Sequence, residues 1–279
     1  MKAVILTNDQ PNQAALVQKL ARVIDVAAVV VSRNVPKKRP SLARRASLLL
    51  NRVAGRTAGS EFVGTWQNLL AHYAESNPGF DPKIPRFDVE NVNDKTTIDV
   101  ISSNAPCLVI VSGTNLVGRK VIEAADSGHG IVNLHTGISP YVKGGPNCTN
   151  WCLAKGWFHL IGNTIMWLDI GIDSGNIIST ECTELDGTES LFELHLKVMD
   201  HAHDLYCRAV KRIASGQKVP SVPQREIAEG AKFMTVDWNR HAMASAMQHF
   251  RSDYKKALSN LKERRDLLDQ VRLISLDDV

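Results

Sequence analysis

The sequence predicts a doubly wound α/β domain with a mostly parallel, Rossmann-like sheet and a helical C-terminal extension. Three observations carry that expectation. Apolar, β-branched runs at 2–7, 25–32 and 106–111 have the unbroken character of strands buried on both faces. The segments between them show helical apolar spacing, so each strand–helix–strand unit implies a right-handed parallel crossover. Asn133 and His135 fall at the carboxyl end of a later strand, the edge where open α/β sheets bind ligands.

The elements follow in order. Lys2 to Thr7 forms the first strand, and Pro11 can occupy the first turn of a helix over 11–23, with Ala14, Leu16, Leu20 and Val23 on its apolar face. DVAAVVVS at 25–32 is the second strand. A basic segment then interrupts the rhythm. Ser41 can cap a helix over 41–53, and 60–76 is a second helix. Pro78, Pro82 and Pro85 force extended chain before a short strand at 87–92. Asp94 opens a helix reaching Asn104, the 106–111 strand ends at Gly113, and a helix over 117–127 leads to the strand at 131–134. Two more strands are expected at about 160–169 and 176–183, then a long amphipathic helix over 190–215. The tail holds a strand-like stretch at 232–236 and charged helical sequence over 239–271. The expected division is a catalytic domain over 1–223, with a basic helical insert at about 35–59, and a mainly helical extension over 224–279.

Bulk properties narrow the class. No apolar run approaches the roughly 20 residues of a membrane helix, and the N-terminus lacks the pattern of a signal peptide. Five irregularly spaced cysteines suit a reduced, cytoplasmic setting. The formal net charge is +4, but residues 37–56 hold seven lysines and arginines and no acid. Without those seven the balance is 26 basic against 29 acidic, so overall charge does not make the chain a nucleic-acid binder. The basic segment is open to several readings: a solvated helix, one packed on a second subunit in a homodimer, a clamp for an acceptor diphosphate, or contact with an anionic membrane surface.

The chemistry concentrates in 130–178. The strand at 131–134 delivers Asn133 and His135, a proline- and glycine-rich loop follows, and an acidic turn places Asp173 before Ser174 and Gly175. A carboxamide, an imidazole and a carboxylate on three loops at one sheet edge can stabilise an oxyanion and move a proton. That is acyl-transfer chemistry in which Ser139, Cys148 and Cys152 are not needed as nucleophiles. Cys148 and Cys152 read as packing residues, because no second ligand pair stands at metal-finger spacing and no metal is expected. His195, His201 and His203 read as a solvated or partner-facing helix surface, and Trp151, Trp157 and Trp167 as core, with one of them able to wall a pocket.

Asn133, His135, Pro140, Gly144, Asp173 and Gly175 together resemble the pattern of the 10-formyltetrahydrofolate-dependent formyltransferases, which include glycinamide ribonucleotide, methionyl-tRNA and sugar N-formyltransferases. The resemblance covers residues 1 to about 215. It implies a 10-formyltetrahydrofolate donor, with Asn133, His135 and Asp173 catalytic and the folate held along Gly113, Thr114, Asn115, Leu116, Val117, Leu168, Ile170 and Gly171. It also implies formyl transfer to a primary amine. The first loop, Thr7 to Asn12, has no glycine and contains Asp9, which disfavours the phosphate of a purine acceptor. The helical tail disfavours a tRNA acceptor, so no nucleic-acid partner is expected. The expected acceptor is a small molecule, a nucleotide-linked amino sugar. Rivals are a folate hydrolase that releases formate and a non-catalytic folate or nucleotide sensor; the hydrolases usually carry an additional N-terminal regulatory domain.

Overall fold

The computed structural model describes residues 1–35, 60–126, 128–145, 147–170 and 175–278. The chain begins with β1 (Lys2–Thr7), α1 (Pro11–Leu20) and β2 (Asp25–Ser32), and resumes with α2 (Ser60–Ser76). Then come β3 (Arg86–Val89), α3 (Lys95–Ser103), β4 (Cys107–Val111), α4 (Arg119–Asp126) and β5 (Ile131–Thr136). After β6 (Val142–Gly144) and α5 (Cys148–Lys155) follow β7 (Gly162–Trp167), β8 (Ile177–Cys182) and α6 (Leu191–Ala214). The tail holds β9 (Ala231–Phe233), α7 (Arg240–Ser252), α8 (Tyr254–Ser259) and α9 (Leu261–Leu268).

The main sheet runs β3-β2-β1-β4-β5-β7-β8. Its first five strands are parallel, and β7 and β8 extend it antiparallel. Strand order reverses between β1 and β4, which opens a crevice beyond their carboxyl ends. Alternation along β1 divides the core. Ala3 and Ile5 face Leu16, Leu20, Leu205 and Val210 of α1 and α6, while Val4 and Leu6 face Val100, Ile101, Val121 and Ala125 of α3 and α4. Both layers need an apolar strand face, which explains why these strands read as unbroken apolar runs.

Helix α6 begins at a Ser190–Glu193 capping box that satisfies two of its exposed backbone donors. Its Tyr206 hydroxyl, fully buried, bonds Val111 N–H at 3.1 Å and the Val111 and Val132 carbonyls at 3.0 and 2.8 Å. That one side chain therefore ties β4 to β5 where the two strands approach the crevice. Helix α6 lies between the sheet and helices α1 and α2, so its histidines are not a solvated surface. His195 and His203 are buried, and His201 is half-buried against Asn163, Thr183 and Glu181. The sequence expectation failed here because α6 buries more than one stripe: Met199 packs with Leu69 and Tyr73 while Tyr206 packs with the sheet.

The tail folds back onto the body. β9 pairs with β6, helix α7 covers α5 through Ala246 and Met247, and α8 packs Tyr254 against Phe158 in the same cluster. Near the end of the chain, Ile274 exchanges hydrogen bonds with Thr180 of β8, and Leu276 joins the main core. Asn260 caps α9 and helps divide the expected single helical stretch into three helices. The helix expected at 41–53 and the basic segment 37–56 lie outside the described residues.

Candidate active site

The site is built where β4 and β5 end. Asn133 pairs across the sheet with Val111 and Met166, and His135 with Thr164. Two residues apart, they project to one face of β5. Both line a cavity of about 520 Å³ at the crevice. No side-chain hydrogen bond ties down the Asn133 carboxamide among the described residues, and the His135 ring is nearly buried.

The loop after His135 is held from beneath. Thr164 Oγ1 donates to the Gly137 carbonyl at 2.6 Å and accepts from Ser139 N–H at 2.9 Å. Gly137 has φ +127°, and a Cβ there would stand 2.6 Å from Cys148 Cβ, so glycine is required by conformation and by space. This close approach seats Cys148 Sγ 3.4 Å from His135 Nε2 and 3.6 Å from the Gly144 carbonyl. Asn147 caps α5 by accepting from Thr149 N–H, which fixes the start of the helix carrying Cys148.

The opposite wall is the loop after β4. Gly113, Thr114, Asn115, Leu116 and Val117 all line the cavity. Asn8 and Asn34 both donate to the Gly113 carbonyl, at 2.8 and 2.9 Å, and Asn34 accepts from Asn115 N–H at 2.9 Å. Leu168 and Asp169 join this wall from the end of β7. Ile170 is described but projects outward at 56% exposure, away from the cavity lining. Gly171 and Asp173 lie outside the described residues, although Gly175, just after them, is part of the lining.

Several lining residues were not anticipated from sequence. Gln13, Met166 and Met199 arrive from helix and strand interiors, whereas Trp167 is one of the tryptophans read as able to wall a pocket. Phe233, Met234 and Thr235 arrive from the tail. β9 brings them in by pairing with β6, and Phe233 stacks on Trp151 at 4.3 Å with the rings 10° from parallel. Trp151 in turn donates from Nε1 to the Gly145 carbonyl at 3.0 Å. Gly144, at φ +102°, leaves no room for a Cβ against the Phe233 carbonyl. The glycines at 144 and 145 were a sequence signal of close backbone approach, but not of which segment approaches.

Comparison with known proteins places the chain in a family. A sequence profile described as formyl transferase matches residues 1–210. Curated relatives include the methionyl-tRNA formyltransferases of Clostridium beijerinckii, 26% identical over 180 residues, and Alkaliphilus oremlandii, 27% over 167. Those matches cover 62% and 57% of this chain and 57% and 52% of the relatives, so the chain spans little more than half their length. Among solved structures, a sugar N-formyltransferase from Shewanella superposes with a TM-score of 0.56 at 12% identity, covering 88% of this chain and 87% of that one. A 4-N formyltransferase from Francisella tularensis gives 0.54 at 16% identity with the same coverage of each chain, and a phosphoribosylglycinamide formyltransferase from Anaplasma phagocytophilum gives 0.52 at 18%, covering 84% and 98%. These structures share the fold. With a profile match spanning most of its length and Asn133 and His135 at the crevice that fold opens, the chain belongs to the formyl transferase family.

Proposed function

We propose that the protein transfers a formyl group from 10-formyltetrahydrofolate to the primary amine of a small acceptor, an amino sugar carried on a nucleotide. The observation that carries this reading is the juxtaposition, in one cavity, of Asn133 and His135 with the apolar loop wall of Leu116, Val117 and Leu168. The volume and mixed lining suit a small ligand with an apolar ring and a polar edge.

The amine nitrogen attacks the formyl carbon, a new C–N bond forms, and the bond to the folate nitrogen breaks. Asn133 donates an N–H to the developing oxyanion, a contribution of about 3–4 kcal/mol for one preorganised donor. His135 donates a second hydrogen bond and relays the proton from the amine to the leaving nitrogen. Asp173 orients the imidazole or a relay water; Asp173→Asn should leave the fold and folate affinity in place while removing most of the turnover.

The acceptor class is supported by the first loop. Asn8 Oδ1 already accepts from Gln10 N–H at 2.9 Å, and Asp9 pairs with Arg86 at 3.1 Å, so the loop carries a carboxylate and a committed N–H where a phosphate cradle needs free donors. Among the described lining residues the acidic and basic groups are His135 and Asp169, which accommodates an amine-bearing ring and leaves any phosphate beyond these walls. The tail residues Phe233 to Thr235 supply that ring's outer wall.

The test is acceptor-dependent loss of formyl from 10-formyltetrahydrofolate across nucleotide amino sugars, glycinamide ribonucleotide and methionyl-tRNA, with product mass detection and His135→Ala as the blank. A formylated amino sugar made by the wild type alone supports the reading. Formate release without acceptor means a hydrolase, and folate binding without turnover means a sensor.

A further inference from the structure

We propose that Gln224, at the start of the tail, is a positioning residue whose carboxamide ties Gly175 to Lys143 of β6 beside the cavity; this rests on the formyl-transfer reading above. Sequence alone places Gln224 only at the start of the mainly helical extension, just after Pro223.

The structure buries this side chain, 6% exposed, in a short 3-10 turn, Gln224–Glu226. Its Nε2 donates to the Gly175 carbonyl at 2.9 Å and lies 4.0 Å from Met166 Sδ, and both of those residues line the cavity. Its Oε1 accepts from Lys143 Nζ at 3.4 Å, and Lys143 directly precedes Gly144, another lining residue, on β6. A carbonyl can only accept and an ammonium can only donate, so the two partners fix the orientation of the amide. Glutamate keeps the acceptor and loses the donor, and methionine loses both.

The approach is rigid on either side. A Cβ on Gly175 would overlap the Trp167 carbonyl at 1.7 Å, so the chain there packs without slack. Just upstream of Gln224, Val222 exchanges backbone hydrogen bonds with Ile177 at 2.8 and 3.0 Å, adding the tail to the start of β8. Gln224 is therefore anchored to the sheet through Val222, two residues upstream, while its side chain reaches Gly175 and Lys143. Acyl transfer depends on reacting atoms being held to within about 1 Å, and a displacement of that size costs roughly 10²-fold in rate. A bridge between Gly175 and the β6 strand that carries Gly144 holds that spacing.

The experiment compares Gln224→Glu, Gln224→Met, Lys143→Met and the Gln224→Met/Lys143→Met double variant in the full chain. It measures kcat, KM for donor and acceptor, thermal midpoint, and hydrogen–deuterium exchange of the peptide spanning 168–178. The expected result is a kcat loss of roughly 10-fold or more in both Gln224 variants, with each KM within about two-fold and an unchanged midpoint. Exchange of the 168–178 peptide should rise in both. Lys143→Met should lose less, and the double variant should be no worse than Gln224→Met alone. Wild-type kcat and exchange in the Gln224 variants, or a rate loss that tracks a falling midpoint, would overturn the proposal. If the wild type itself transfers no formyl, the functional reading fails, and the exchange measurement still decides whether Gln224 holds the loop.

Discussion

Two imidazoles on α6 should make the folded protein acid-sensitive between about pH 7.5 and 5.5. His195 and His203 are 7% and 0% exposed. Burial pushes them from the usual 6.5 down to about 4 and about 3, and the Lys19 ammonium adds to the depression of His203. Asp200 and Asp204 lie on the same side, but Lys19 is paired with both, at 3.6 and 3.3 Å, and Tyr73 donates its hydroxyl to Asp200 at 2.9 Å. Both rings stay neutral in the folded protein across the whole window, whereas the unfolded chain protonates them near 6.5. A depressed histidine contributes stability that is complete above its unfolded value and is lost as the pH falls. Lowering the pH from about 7.5 to 5.5 lets the unfolded chain take up most of one proton at each site. That is worth about 1.4 kcal/mol per histidine and about 2.7 kcal/mol for the pair. Two carboxylates with strong shifts do not interfere. His201 and Arg208 hold Glu181 at about 2, and Glu189 reaches about 2 because Lys197, Tyr254 and backbone N–H groups outweigh its burial. Both lose their contributions only below the ordinary 4.5. The assay is urea denaturation at about pH 7.5, 6.5 and 5.5 at constant ionic strength. Wild type should lose this amount and a smaller part from His159, whose half-buried ring is likewise pushed down by burial; His203→Leu should lose about half of the pair's share, and His195→Leu/His203→Leu only the His159 part. Stability that is flat across the range in wild type, or a drop undiminished in the double variant, would refute the burial argument.

Other perturbations follow from the same packing. Gly137→Ala forces a Cβ against Cys148 at a positive φ and should cost about 1–3 kcal/mol while slowing turnover, because Cys148 abuts His135; thermal melts and kcat read the two effects. Tyr206→Phe removes a hydroxyl shared by three backbone groups of β4 and β5 and should destabilise by about 1–3 kcal/mol in chemical denaturation. Phe233→Ala opens the tail side of the cavity and removes the stack on Trp151; it should raise KM for the acceptor and leave folate affinity unchanged, as separate titrations will show.

What the sequence determined by itself was local. The apolar runs of β1, β2 and β4 are legible because a strand covered on both faces must be apolar at every position, and helix α2 was expected over the same span, 60–76, that it occupies. The placing of Asn133 and His135 at one sheet edge was legible for the same reason, since alternation along β5 sets their common face and its carboxyl end sets their location. The loop after β4 followed from where that strand had to stop, at Gly113, and its naming as Gly113 to Val117 came from the family resemblance. The remaining features depend on contacts between segments distant in sequence. The last two sheet strands run antiparallel, a fact their composition does not carry. His195 and His203 are buried because helices α1 and α2 cover a face of α6 that hydropathy alone marks as polar. The tail reaches the cavity through the β6–β9 pairing, 89 residues apart in register at Val142 and Ala231, and through one glutamine amide. Local periodicity encodes which face of an element is apolar. It does not encode which remote segment will come to cover a polar face, and that choice, made by packing and by backbone hydrogen bonds between distant residues, built the tail side of this cavity.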